Sequence, residues 1–144
     1  MSVPAVLSLV TLGVSDVRRS TAFYAALGWR VSPASVEGDV TFLDIAGSRL
    51  ALWGDDDLAK DASSSPPLPG SFRGVTLAIN LESRAAVDAA VSAVLEAGGT
   101  TVSAAADTFY GGYAGYVADP DGYRWEIAFN PGWAIGSDGL PVLP

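Results

Sequence analysis

The chain has 144 residues, 49% of them hydrophobic and only 17% charged, which fits one globular domain with a real core and not a disordered segment. Its 16 acidic residues against 8 basic ones leave a net charge of −8, which argues against a nucleic-acid partner, since a phosphate backbone asks for concentrated lysine and arginine. Histidine and cysteine are both absent, so imidazole acid–base catalysis, thiol chemistry and disulfides are excluded. No stretch approaches the roughly 20 apolar residues of a membrane helix. The opening "MSVPAVLSLV" lacks the basic start and long apolar core of a signal peptide, so a cytoplasmic protein is expected.

The first periodic run is "LVTLGV" (9–14), with Val10, Leu12 and Val14 on one face and Leu9, Thr11 and Gly13 on the other. Asp16 is then placed to cap a helix through "VRRSTAFYAAL", which Gly28 ends. Three strand-like runs follow, "WRVSPAS", "DVTFLDIAG" and "RLALWG", broken by Pro33, Gly38 and Gly47. The stretch 55–73, "DDDLAKDASSSPPLPGSFR", is rich in Asp, Ser and Pro and reads as a surface linker.

The second half repeats the order. "VTLAINL" (75–81) alternates, Ser83 can cap a helix through "RAAVDAAVSAVLEA", and Val87, Val91, Val94 and Leu95 form its apolar stripe. Gly98 and Gly99 end that helix, and "TTVSAA", "GYAGYVA" and "YRWEIAF" supply three more strands. The organisation is therefore α+β: two tandem βαβββ modules, at about 7–54 and about 74–131, with a Gly/Pro-rich tail at 132–144 expected to drape over the fold or a partner subunit. A sheet covered by a helix on one face leaves the other face open, and two such modules side by side would line a cup with helices outside.

At "LGVSDVRRSTAFYAALGW" (12–29) and "GYVADPDGYRWEIAFNPGW" (115–133), together with the doubled βαβββ order, the chain resembles the vicinal oxygen chelate superfamily. That superfamily includes glyoxalase I, extradiol dioxygenases, fosfomycin resistance enzymes and bleomycin resistance proteins, so the resemblance implies a fold but leaves function to the site. In its metal-dependent members each module gives two ligands, from its first and last strands. Strand parity maps those positions onto Leu9, Ala51, Thr76 and Glu126. Only Glu126 is a metal-ligand type, so no metal and no cofactor is expected, and the chain is closest in type to the metal-free drug-binding members.

Glu126 has two readings, a relict satisfied by water, by Arg124 or by a nearby hydroxyl, and a carboxylate that orients a ligand. By the same parity Trp53 shares the cup face with Ala51, and Phe42 on the neighbouring strand is a further candidate. Tyr116 stands across the "DPDG" turn from Glu126, a position that contacts substrate in several related enzymes. In "FYGGYAGY" (109–116), Tyr110 is a candidate for closing the mouth of the cup, while Phe109 and Tyr113 suit packing at the sheet edge. The expected function is metal-independent binding of an aromatic or cationic small molecule, as in antibiotic sequestration, by a homodimer. A lyase or isomerase using Glu126 and Tyr116, and an interaction module with no ligand, are the alternatives.

Overall fold

A computed structural model describes residues 2–144. Module one opens with β1 (Val10–Val14) and α1 (Val17–Ala26), followed by β2 (Arg30–Val31), β3 (Val40–Asp44) and β4 (Arg49–Gly54). After α2 (Asp55–Asp61), module two repeats the pattern with β5 (Thr76–Leu81), α3 (Arg84–Glu96), β6 (Thr100–Asp107), β7 (Tyr113–Ala118) and β8 (Arg124–Phe129). The two four-stranded sheets have matching orders, β1-β4-β3-β2 and β5-β8-β7-β6, and in each the first strand runs parallel to the last and the other neighbours are antiparallel. The duplicated βαβββ order is the architecture of the chain.

Local chemistry explains the elements. Asp16 and Ser83 each accept a hydrogen bond from the backbone N–H three residues on, satisfying one free donor of α1 and of α3. Gly28 and Gly98 take positive φ where the two helices end. Alternation then fixes the inner faces. Leu12, Val14, Leu50 and Leu52 of the first sheet, and Val117, Trp125 and Ile127 of the second, enter one core with Phe23, Tyr24, Val87 and Val94. Val10, Leu77, Ile79 and Leu81 pack against that core, on the faces that the alternation assigns them.

Four expectations need correction. The stretch 55–73 is not all linker, because Asp55–Asp61 is helical. Three aspartates at its first turn suit the positive end of a helix, and α2 lies against β1 and β4. It approaches the open face, since a Cβ on Gly13 would stand 2.6 Å from Asp55 Oδ1 and 3.3 Å from Leu58. Leu95 is exposed, and Val87 and Val94, with Ala90 and Val91 packed beside them, carry the α3 contacts, because the apolar stripe is narrower than the run of apolar residues. Phe109 does not pack at the sheet edge but is fully exposed, at a turn beyond β6 that the sheet does not reach. Tyr113 does pack against the core. Finally, "WRVSPAS" yields only the two-residue β2, since the chain turns at Pro33.

The tail forms a small antiparallel pair, β9 (Ala134–Ile135) with β10 (Pro141–Val142), and a Cβ on Gly47 would stand 3.1 Å from Leu140. It therefore lies against the β3–β4 turn of module one.

Candidate functional site

The site is built on two adjacent strands. β7 and β8 pair so that Tyr116 stands directly opposite Glu126, and both side chains leave the sheet on the face away from Trp125 and Ile127. The Tyr116 hydroxyl donates to Glu126 Oε2 at 2.8 Å. This bond, together with burial and the carboxylate charge, raises the Tyr116 pKa above its ordinary value, while Thr76 pulls it the other way. The phenol is therefore held protonated at neutral pH, as a donor and not as a base. Of the satisfying groups weighed for Glu126, it is a neighbouring hydroxyl that provides the contact. Arg124, two residues away on the same face, donates instead to the Gly122 carbonyl at 2.6 Å.

The remaining predicted residues fall in two places. Tyr110 is exposed, at the β6–β7 turn, and lies near enough to Tyr116 to add to the raising of its pKa. Trp53 and Phe42 belong to the other sheet. The register sets Phe42 opposite Ala51, and Trp53 between Val40 and Gly13, so both side chains share the face opposite Leu50 and Leu52. Both are half-buried. The structure thus joins Tyr116 with Glu126 and places Trp53 and Phe42 apart from them, on the sheet of module one.

The glycines of "FYGGYAGY" have separate tasks. Gly111 adopts φ +83° at the turn, and Gly115 admits the backbone of the bulged β6, for a Cβ there would stand 2.9 Å from Ala105 N.

Sequence reasoning missed the group that joins the modules. Asp119 is buried and accepts from the Tyr24 hydroxyl at 2.6 Å and from the backbone N–H groups of Asp121 and Tyr123. Trp125 Nε1 donates to the same Tyr24 oxygen at 3.1 Å. Asp121 accepts from the backbone and hydroxyl of Ser15, from Ser20 and from Arg19, and the Tyr123 hydroxyl donates to the Gly13 carbonyl. Two carboxylates two residues apart at a turn, the "DPD" itself, were the available signal.

The sequence profile of the Glyoxalase/Bleomycin resistance protein/Dioxygenase superfamily matches residues 6–127. The chain belongs to this superfamily. Among solved structures, a glyoxalase-related enzyme from Fulvimarina pelagi is 35% identical, with a TM-score of 0.85 over 97% of this chain and 99% of its own. A superfamily enzyme from Burkholderia phytofirmans PsJN shares the fold at 23% identity and a TM-score of 0.73, covering 85% of this chain and 96% of its own. A lactoylglutathione lyase from Agrobacterium tumefaciens shares it at 19% identity and a TM-score of 0.67, covering 89% and 96%. A comparison with curated proteins finds no match.

The donor set of this member does not fit the divalent metal that the superfamily's metal-dependent enzymes use. Leu9 and Ala51 offer no donor atom, Thr76 offers a neutral hydroxyl, and Glu126 already accepts from Tyr116. Among the described residues, no three acidic side chains gather where a cation would sit.

Proposed function

We propose that this superfamily member binds an aromatic or cationic small molecule without a metal, with the Tyr116–Glu126 pair as its polar anchor. The observation that carries the reading is the 2.8 Å bond at a position where metal-dependent relatives place a ligand. There the carboxylate is held by a phenol and keeps its second oxygen for a donor on the ligand. Trp53, Phe42 and Tyr110 supply apolar and stacking surface, and a homodimer brings the open faces of two copies together. Sequestration of a toxic natural product is the role that suits such a site.

A second reading rests on the same pair. A phenol bonded to a carboxylate can pass a proton, and a relative at 35% identity is described as a glyoxalase-related enzyme, so a metal-free isomerase or lyase uses the same geometry. Titration of intrinsic tryptophan fluorescence with a panel of planar aromatic antibiotics, cationic and neutral, tests binding. Saturable quenching that disappears in Trp53→Phe and weakens for cationic compounds in Glu126→Gln supports the first reading. Turnover of a hemithioacetal in metal-free buffer, lost in Glu126→Gln, supports the second. Failure of every compound in both assays overturns both.

A further inference from the structure

A groove of about 1060 Å³ runs along the junction of the modules, and in this acidic chain its lining is balanced, with three arginines to three aspartates. Three of the eight basic residues of this acidic protein, Arg19, Arg73 and Arg124, line it. The aspartates that share the lining are already engaged, Asp55 at long range by Arg73 itself. Asp121 takes hydrogen bonds from Ser15, Ser20 and Arg19, and Asp119 from Tyr24 and two backbone amides. Their acceptor capacity is turned inward.

Arg19 is held by Asp121 and Ser15, whereas Arg73 and Arg124 are less engaged. Arg73 lies 4.4 Å over the ring of Tyr123, which holds its plane in place. Its Nη2 is 3.9 Å from Asp55 Oδ1, its Nη1 is 3.5 Å from the Asp121 carbonyl, and its Nε is buried with no acceptor among the described residues. Arg124 makes one short bond, to the Gly122 carbonyl. A half-buried guanidinium with long contacts and an orphaned donor is an unusual arrangement, because such donors carry a cost unless an acceptor reaches them.

We infer that this groove is a binding site for an oxyanion, a phosphate or carboxylate borne on an apolar body. Arg73 and Arg124 bind the oxyanion, and Pro67, Pro69 and Val102 line the groove for the apolar part. The planar fork of arginine suits the paired oxygens of either anion. Arg124 shares a strand face with Glu126 of the proposed cup, but the ligand inferred here has the opposite charge preference.

The test uses the full chain with three probes, inorganic phosphate, phenyl phosphate and benzoate, followed through the arginine Nε–Hε resonances by ¹H–¹⁵N NMR. Phenyl phosphate or benzoate, or both, will shift the Arg73 signal saturably and more tightly than inorganic phosphate. Which of the two binds better tells phosphate from carboxylate. Arg124→Gln will weaken that binding about tenfold or more, the scale of a charge-assisted hydrogen bond. Arg73→Lys, which keeps the charge and the stem over Tyr123 but loses the fork, will weaken it similarly. Tyr116→Phe will leave it unchanged, which separates this site from the proposed cup. The inference is overturned if no probe gives a saturable shift, or if both arginine variants bind as the parent does.

Discussion

Tyr24 and Asp119 stand 95 positions apart in the chain, and the hydroxyl of one donates to the carboxylate of the other at 2.6 Å in the buried seam between the two modules. The Tyr24 ring stacks on Trp29 at 5.2 Å, and its oxygen also accepts from Trp125. Removing that oxygen leaves a buried carboxylate and a buried indole N–H each short of a partner, which is costlier than the loss of a net hydrogen bond. Tyr24→Phe is expected to destabilise the protein by about 2–4 kcal/mol, lowering Tm by roughly 5–12 °C in calorimetry. A shift below about 2 °C would show that the modules are held by apolar packing alone.

The same seam makes stability depend on pH. Burial raises the pKa of Asp119 above the ordinary 3.8, even though the bonds from Tyr24 and the amides of Tyr123 and Asp121 pull it back. The folded state then holds this proton more tightly than the unfolded chain does. Stability from this group is therefore greatest below the ordinary carboxylate pKa and falls as pH rises through the raised one. Asp55 carries a shift of the same sign, caused first by burial and opposed by Arg73. Urea midpoints measured from pH 3.5 upward should show the stability gap between the parent and Asp119→Asn narrowing as pH rises, then levelling. A gap that widens over that interval would contradict the raised pKa.

Periodicity revealed most of the fold because the larger apolar residues of β1, β4, β5 and β8 alternate with smaller or polar ones. Val10, Leu12 and Val14 announce their face by alternation, and the caps at Asp16 and Ser83 announce the helices. The helix at Asp55–Asp61 was hidden, because its acidic first turn resembles the polar composition of a linker. At the site, parity was sufficient to put Tyr116 and Glu126 on one face, and it put Trp53 on the same face of the other sheet as Ala51. It carried no information about partners. A bond such as Tyr24 to Asp119 depends on how the two modules are set against each other, and no local pattern encodes that. Arg73 was invisible for the same reason, sitting in a polar segment as an ordinary surface charge.

Metal addition gives a direct check on the donor set. With Leu9, Ala51 and Thr76 at three of the four positions, zinc, nickel and manganese should each leave Tm unchanged at concentrations well above those that saturate a metalloenzyme. A saturable rise in Tm that vanishes in Glu126→Ala would reveal a metal site assembled from groups other than these four.

Gly115 offers the sharpest link between fold and site. It lies in β7 beside Tyr116, where β6 is bulged on both sides of Ser103 and folds closely over it. A methyl group there would stand 2.9 Å from Ala105 N, 3.0 Å from Ala105 Cα and 3.1 Å from the Ser103 carbonyl. All three are backbone atoms, so no side-chain rotamer can relieve the contact. Gly115→Ala must either push β6 away or shift β7, and overpacking of this kind costs about 1–3 kcal/mol. A shift of β7 carries Tyr116 with it, so the 2.8 Å bond to Glu126 should lengthen. The tyrosine would then titrate nearer its ordinary pKa, because that bond is the main cause of the rise. Ultraviolet titration of the phenols from pH 8 to 12, comparing Gly115→Ala with the parent and with Tyr116→Phe, isolates this one hydroxyl. Loss of stability with an unchanged Tyr116 titration would mean that β6 alone yields and that the site is insulated from the bulge.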